Sequence, residues 1–434
     1  MSRLPVGRRN ASCRTPKQAQ RPSLELLEQK VLLATFRVTS GADPDTLTQG
    51  TLRWAVEQAN TTPLQGAQRH IIEFRLPQDE QTITLTSPLP FLTRPTYING
   101  TSQPGFSQQA RLPVVEVTYD SNIADANGFV ITRSASGSII SGLSITNFSG
   151  NGIVLLGSEN NRIEENFIGV SKDNGAPGPN GGHGIILLPD ILSVPARNNR
   201  IGGLDRIGNR EFVRGNRIVN NGLNGVTVIG AGSDLNLIEY NSIGGNGGLG
   251  IDLGNDGVTP NDAFDNDFGP NNLQNYPVIA RAQTIEDEDV PIRTEIALSL
   301  NSRPNTVYRI QLYASDFPDP SGFGEGGLLL ETLPNIRTDQ TGFASRILVL
   351  PDDLRNRFVT ATATEIQGNL GNTSEFSATI PIEFVTFRVD VGVTVDSIPD
   401  PVRAGTPLTY SATVFNANPN PARVSDPVNL RVFL

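Results

Sequence analysis

Short apolar runs separated by Asn and Gly recur through the middle of the chain at a spacing that is not helical. The tetrads Asn127-Gly128-Phe129-Val130, Asn151-Gly152-Ile153-Val154, His183-Gly184-Ile185-Ile186 and Asn224-Gly225-Val226-Thr227 share one pattern, and Gly248-Leu249-Gly250-Ile251 is a weaker copy. The first and last intervals are 24 residues; the middle ones, 32 and 41, read as one repeat plus an inserted loop, Lys172 to Gly182 and Pro189 to Arg214. A second series runs in phase: Asn161-Arg162-Ile163, Asn199-Arg200-Ile201, Asn216-Arg217-Ile218 and Asn236-Leu237-Ile238. A fixed period of about 20 to 50 residues built from such strands and turns is the signature of a solenoid. Ile and Val would fill its interior, while Asn would either turn the corners in left-handed conformation or ladder its amides along the axis. The expected fold is all-β, with a right-handed parallel β-helix over residues 36–278.

Helical spacing occurs convincingly once, over residues 50–60, where Leu52, Ala55, Val56 and Ala59 share one face. An open solenoid end exposes unpaired backbone and an apolar interior, so a short amphipathic helix there is expected to cap it. From residue 279 the pattern changes to alternation, as in Glu295 to Leu300 and Tyr308 to Tyr313, which read as half-buried strands. Residues 279–384 are expected to form an antiparallel β-sandwich. Val389 to Val393 and Pro399 to Tyr410 open a further sandwich-like stretch, 388–434. At 47 residues it falls well short of the roughly 100 that a sandwich needs, so an incomplete, truncated sandwich is expected.

Several segments resemble known bacterial surface proteins. Gly50-Thr51-Leu52-Arg53-Trp54-Ala55-Val56-Glu57-Gln58-Ala59-Asn60 resembles the Gly-Ser-Leu-Arg-x-Ala-Ile-x-x-Ala-Asn motif of CSLREA-type domains, which open bacterial extracellular β-helices. Gly248 to Gly254, followed by 255–262 and 269–277, is similar to the terminal segment of the same proteins. Leu27 to Ala34 resembles a Leu-Glu-Pro-Arg-x-Leu-Leu element, with Gln29-Lys30 in place of Pro-Arg. Thr360 to Thr364 followed by Gly371-Asn372-Thr373-Ser374-Glu375-Phe376-Ser377 looks like the ending of an immunoglobulin-like module found behind such β-helices, and 389–410 is similar to a surface-adhesin repeat. The resemblance implies an exported, extracellular or cell-surface protein.

Composition narrows the function classes. At 434 residues the chain exceeds one compact core. A net charge of −10, with only three Lys (Lys17, Lys30 and Lys172) among 34 basic residues, argues against nucleic acid as a partner. Cys13 is the only cysteine, which excludes disulfides within the chain. No run approaches the roughly 18 apolar residues of a membrane span. Residues 1–35 begin with six basic and no acidic side chains before Pro22, and are expected to be a disordered targeting segment. A monomer is expected.

Candidate chemistry is sparse. Parallel β-helices host polysaccharide lyases and glycoside hydrolases, and hydrolysis needs two carboxylates across the cleaved bond. Within the repeats Glu159, Glu164, Glu165 and Glu239 sit in or beside turns, and no Asp-Asp pair recurs. Gly182-His183-Gly184 matches the Gly-His-Gly element of polygalacturonase-like hydrolases without that family's other elements, so His183 is a candidate catalytic residue or simply a turn residue in the Asn slot. Asp252, Asp256, Asp262, Asp265 and Asp267 with Asn255, Asn261 and Asn266 supply the hard oxygen ligands calcium takes. Asp256, Asp262, Asp265 and Asp267 are the candidate calcium ligands, against a solvated acidic loop. The expected function is a non-catalytic structural or adhesive surface protein that binds polysaccharide or another cell-surface ligand. The alternative is a polysaccharide lyase or glycoside hydrolase, marked by acids or arginines clustered on one outer sheet.

Overall fold

The computed structural model describes residues 34–64, 69–107, 109–120, 124–208, 210–287, 290–387, 391–398, 405 and 409–416. The expected targeting segment and most of 388–434 lie outside these residues; of the latter, Val391–Ile398 and Thr409–Asn416 form an antiparallel pair.

Residues 35–253 form a three-faced parallel β-solenoid. Its first face has seven strands: Thr35–Val38, His70–Phe74, Thr96–Asn99, Ile139–Ser141, Arg162–Glu164, Arg200–Gly202 and Leu237–Glu239. The second face has six, from Thr82–Leu85 to Ser242–Gly244, and the third has five, from Phe129–Thr132 to Ile251–Leu253. Every pairing within these faces is parallel and in register, so like stacks on like. Ile72, Ile98, Ile140, Ile163, Ile201 and Ile238 form one interior column, and Ile83, Val117, Ile145, Ile168, Ile218 and Ile243 another. Both columns belong to a single buried core.

The polar counterpart of these columns sits at the corners. In one column each Asn accepts from the previous rung through its side-chain oxygen: Asn161 N and Nδ2 donate to Asn199 Oδ1 at 3.0 and 2.9 Å, and Asn199 repeats this on Asn236 at 3.1 and 3.0 Å. Asn166, Asn216 and Asn241 form a second column, and Asn180, Asn221 and Asn246 a third. Corner placement and axial laddering are therefore both present. Two sequence expectations need correcting. Asn216 belongs to a different corner from Asn161, Asn199 and Asn236. The stretch 189–214 is also not one loop: it holds a loop, the first-face strand Arg200–Gly202 and the antiparallel hairpin Leu204–Ile207 with Arg210–Val213.

The helix Leu52–Thr61 starts where Thr51 Oγ1 accepts from Trp54 N at 3.2 Å. It buries Leu52, Ala55, Val56 and Ala59 and packs against the first two strands of the first face.

Beyond the last rung, two sheets share a second apolar core. One orders Phe343–Leu350, Val290–Asn301, Val278–Asp287 and Glu383–Phe387; the other orders Leu328–Arg337, Val307–Ser315, Phe358–Gln367 and Leu370–Thr373. All pairings are antiparallel except Val278–Asp287 with Glu383–Phe387. Val307–Ser315 and Phe358–Gln367 are not half-buried as alternation suggests. Ala361 and Ala363 face the sandwich core while Thr360, Thr362 and Thr364 are also buried, because the outer side of this sheet lies against the solenoid's end.

That contact finishes the ladders. Leu235 N donates to Asn372 Oδ1 at 2.6 Å, Ile238 N to Thr373 Oγ1 at 3.0 Å and Tyr240 N to Gln311 Oε1 at 3.0 Å. Glu325 takes the place of the next asparagine in its column, accepting from Gly245 N and, at 3.2 and 2.8 Å, from Asn246 N and Nδ2. Glu375 accepts from Leu253 N and Thr259 N, each at 2.9 Å. Phe376, edge-on to Tyr313 with ring centroids 5.5 Å apart, closes the apolar interior. A Cβ on Gly250 would meet its ring at 2.8 Å, which requires glycine there.

Burial pushes both Glu325 and Glu375 up to about 7, with Asp319 adding to the first and Asp252 and Asp256 to the second, against the hydrogen bonds that favour the charge. A raised folded-state pKa contributes stability that is complete below the ordinary value of 4.5 and is lost as pH rises through about 7. The unfolding free energy from urea titration should therefore fall between pH 5 and pH 8, by up to roughly 3 kcal/mol per carboxylate, and the midpoint with it. The double substitution Glu325→Gln, Glu375→Gln should flatten that slope; a midpoint that rises with pH would contradict the assignment.

Candidate functional site

Strand alternation turns Ile163 and Ile201 inward and sends Arg162, Glu164 and Arg200 outward onto the first face. The hairpin beside this face contributes Asp205 and is followed by Arg214. Arg162 Nη2 bonds Glu164 Oε2 and Asp205 Oδ2, each at 2.8 Å. Arg200 Nη1 reaches Asp205 Oδ1 at 2.6 Å, and Arg214 reaches Asp205 Oδ2 at 3.2 Å and Glu165 Oε1 at 2.9 Å. Arg111 joins Glu165 Oε1 at 3.5 Å. Tyr97 precedes Arg162 by two rungs in the same outward column, through Ile139. Burial opposes the charge on Asp205, but Arg200 and Arg162 hold its carboxyl below the usual range. Burial likewise works against the Arg162 charge, and Glu164 and Asp205 more than offset it.

Acids and arginines thus cluster on one outer sheet, the feature expected of the polysaccharide lyase or glycoside hydrolase alternative, and they line a candidate polar groove. Sequence reasoning named Glu164 and Glu165 but missed Arg162, Arg200, Asp205 and Arg214 as their partners, although two Asn-Arg-Ile triplets carried the signal: Arg162 and Arg200 follow corner asparagines and fall on outward positions of the first face. Glu164 and Glu239 end first-face strands, beside the turns that begin at Glu165 and Tyr240.

His183 lies in the asparagine slot of the corner preceding the third face. Its backbone N donates to Asn151 Oδ1 at 2.8 Å, and Asn224 N donates to His183 Nδ1 at 3.3 Å, with the Thr227 hydroxyl 2.9 Å from the same nitrogen. The imidazole thus accepts where its rung neighbours use an amide oxygen. Burial pushes its pKa down, so the ring is held neutral with its proton on Nε2.

Asp262, Asp265 and Asp267 converge, one carboxylate oxygen from each lying within 4.8 Å of the others. The loop turns tightly there, with Phe264 and Asp265 at φ 66° and 56°. Asp265 is anchored by Asn275 N at 3.0 Å and Ser302 Oγ at 2.5 Å, whereas the buried Asp267 Oδ1 has no hydrogen-bond partner among the described residues. Burial, together with the neighbouring Asp267, pushes Asp265 up to about 6, and Asp267 is raised by burial and by Asp262. Asp256 is not brought into this group; its carboxylate lies beside Gly254.

No known protein family matches the chain, and no curated protein matches it. Among solved structures, the full-length tailspike protein 2 of an Escherichia coli bacteriophage aligns at 12% identity over 71% of this chain, with a TM-score of 0.19. The chain spans 59% of that protein's length. A TM-score so low carries no argument, and the solenoid rests on the strand register above.

Replacing His183 with Asn should leave stability within about 1 kcal/mol of the parent, because an amide oxygen can accept from Asn224 N. His183→Ala should cost about 1 to 3 kcal/mol by stranding buried donors. Chemical denaturation of the two variants distinguishes this ladder role from an unrelated one, in which Asn would be no better than Ala.

Proposed function

We propose that the protein is an exported, cell-surface β-helix protein without catalytic activity, whose first face binds a glycan. In this reading the helix is regular right-handed solenoid, as crossover connections between parallel strands overwhelmingly are. The amphipathic helix caps its N-terminal end, and the sandwich is the immunoglobulin-like module that the sequence resembles. One observation carries the preference for binding over turnover: each carboxylate of the groove, Glu164, Glu165 and Asp205, is already matched to an arginine. A glycosidase needs one carboxyl that keeps its proton near neutral pH and can deliver it; Asp205 is shifted the opposite way, and Glu239 beside it, though raised by burial, is bonded to Arg309. Planar guanidinium groups and the half-buried Tyr97 ring suit recognition of sugar hydroxyls and ring faces.

Acidic and neutral polysaccharides immobilised on a column should retain the chain without release of reducing ends or unsaturated products. Tyr97→Ala should weaken retention roughly tenfold. Product release abolished by substituting Glu164, Glu165 or Asp205 would establish the enzyme instead.

The second part of the proposal is a structural calcium ion held by Asp262, Asp265 and Asp267. Three hard oxygen donors at short range, one of them a buried orphan, fit that cation, and its charge would relieve their mutual repulsion. Because Asp265 also bonds Ser302 of the sandwich, the ion would stiffen the joint. Calcium at about a hundred times its dissociation constant should stabilise the fold by about 2.7 kcal/mol over an EDTA-treated sample. Equal melting temperatures in calcium and EDTA would remove the site.

A further inference from the structure

A cavity of about 470 Å³ opens where the first face meets the sandwich, walled by Arg200, Asp205 and Glu239 from the solenoid side and by Arg309 and Asn369 from the sandwich. Its size and its place between two structural layers are those of small-ligand sites. Two of its wall residues hold buried polar atoms with no hydrogen-bond partner, Arg200 Nη2 and Glu239 Oε1. Their other valences are taken. Arg200 Nη1 bonds Asp205 Oδ1 at 2.6 Å and Nε bonds Gly202 O at 2.9 Å, while Glu239 Oε2 accepts from Arg309 Nη1 at 2.5 Å. The Glu239 side chain is only 1% exposed. One donor and one acceptor of opposite charge thus lack partners on two residues that wall the same cavity, with Thr364 a further neighbour of the Glu239 carboxylate.

We propose that this cavity is a monosaccharide subsite that takes a neutral pyranose through its hydroxyl groups. The proposal rests on the glycan-binding reading above and assigns it a place. A hydroxyl both donates and accepts, so a vicinal pair can give a proton to Glu239 Oε1 and accept one from Arg200 Nη2 at once. An anionic ligand would satisfy the arginine but meet the Glu239 carboxylate, and a cationic one would meet Arg200 and Arg309; a neutral polyol meets neither conflict. Leu237 from the solenoid and Leu370 from the sandwich add apolar side chains to the cavity's lining. Since the walls come from both layers, an occupant bridges the solenoid and the sandwich.

The test is saturation-transfer NMR on the full chain, with methyl pyranosides of glucose, galactose, mannose and rhamnose as neutral probes and glucuronate as the anionic one. At least one neutral pyranoside should receive saturation. Glu239→Gln should weaken it about tenfold or more, because its amide keeps an oxygen for Arg309 and turns a donor toward Arg200. Asn369→Trp, at an exposed turn on the rim, should block the mouth without touching the joint, and it decides the matter if Glu239→Gln unfolds. Saturation of glucuronate alone, or binding that survives both substitutions, overturns the subsite. Silence from every pyranoside overturns it too. If polysaccharide columns still retain the chain, the glycan reading survives that failure; if they do not, both fall.

Discussion

The constraint on which this structure depends is that a stacked coil leaves polar groups in its interior corners, and each must find a partner one rung further along. Asparagine answers it by offering an acceptor to the rung before and donors to the rung after, with its backbone tolerant of the turn. Asn161, Asn199 and Asn236 form such a chain, and so do Asn166, Asn216 and Asn241. The solution is polar and directional, so it can be extended indefinitely but cannot end by itself. A final rung always presents donors with nothing above them.

The sandwich is what ends it. Asn372, Thr373, Gln311, Glu325 and Glu375 deliver acceptors to the last rung, and Phe376 and Tyr313 fill the apolar opening. Solenoid and sandwich consequently fall within one compact unit, residues 33–434. Carboxyl groups stand in two of these positions, and each meets two or more N–H donors at once through its two oxygens. Their burial makes the joint sensitive to pH. The same joint creates the cavity beside Glu239 and holds the acidic loop against Ser302.

The outer faces are free of these demands and carry the chemistry instead. On the first face, alternation turns outward the residues flanking each interior isoleucine, and successive rungs align them into a column. Arg162 and Arg200 come into register in this way, and the hairpin insertion closes on them through Asp205. A repeat that is monotonous inside thus becomes a graded polar surface outside, with inserted segments as its walls.

Periodicity alone determined that the chain coils: isoleucine and asparagine at fixed offsets can be buried together only by stacking, and the helical face of Leu52, Ala55, Val56 and Ala59 was equally legible. The acidic run from Asp262 to Asp267 could be read as an oxygen-rich loop, and His183 as an occupant of the asparagine slot. Tertiary structure decided the rest. Asn216 was assigned to the wrong column because insertions change the count between corners, and spacing cannot tell which corner an asparagine turns. The strand through Tyr308 to Tyr313, which pairs with the Thr-Ala-Thr-Ala-Thr strand in the sheet that covers the solenoid, looked half-buried because alternation reports two different faces, not what covers each. Only the docked solenoid end makes the threonine side an interior. The arginine groove, the Glu325 and Glu375 terminators and the Glu239 cavity all join residues tens of positions apart, and only the stacking distance between rungs brings them within hydrogen-bonding reach.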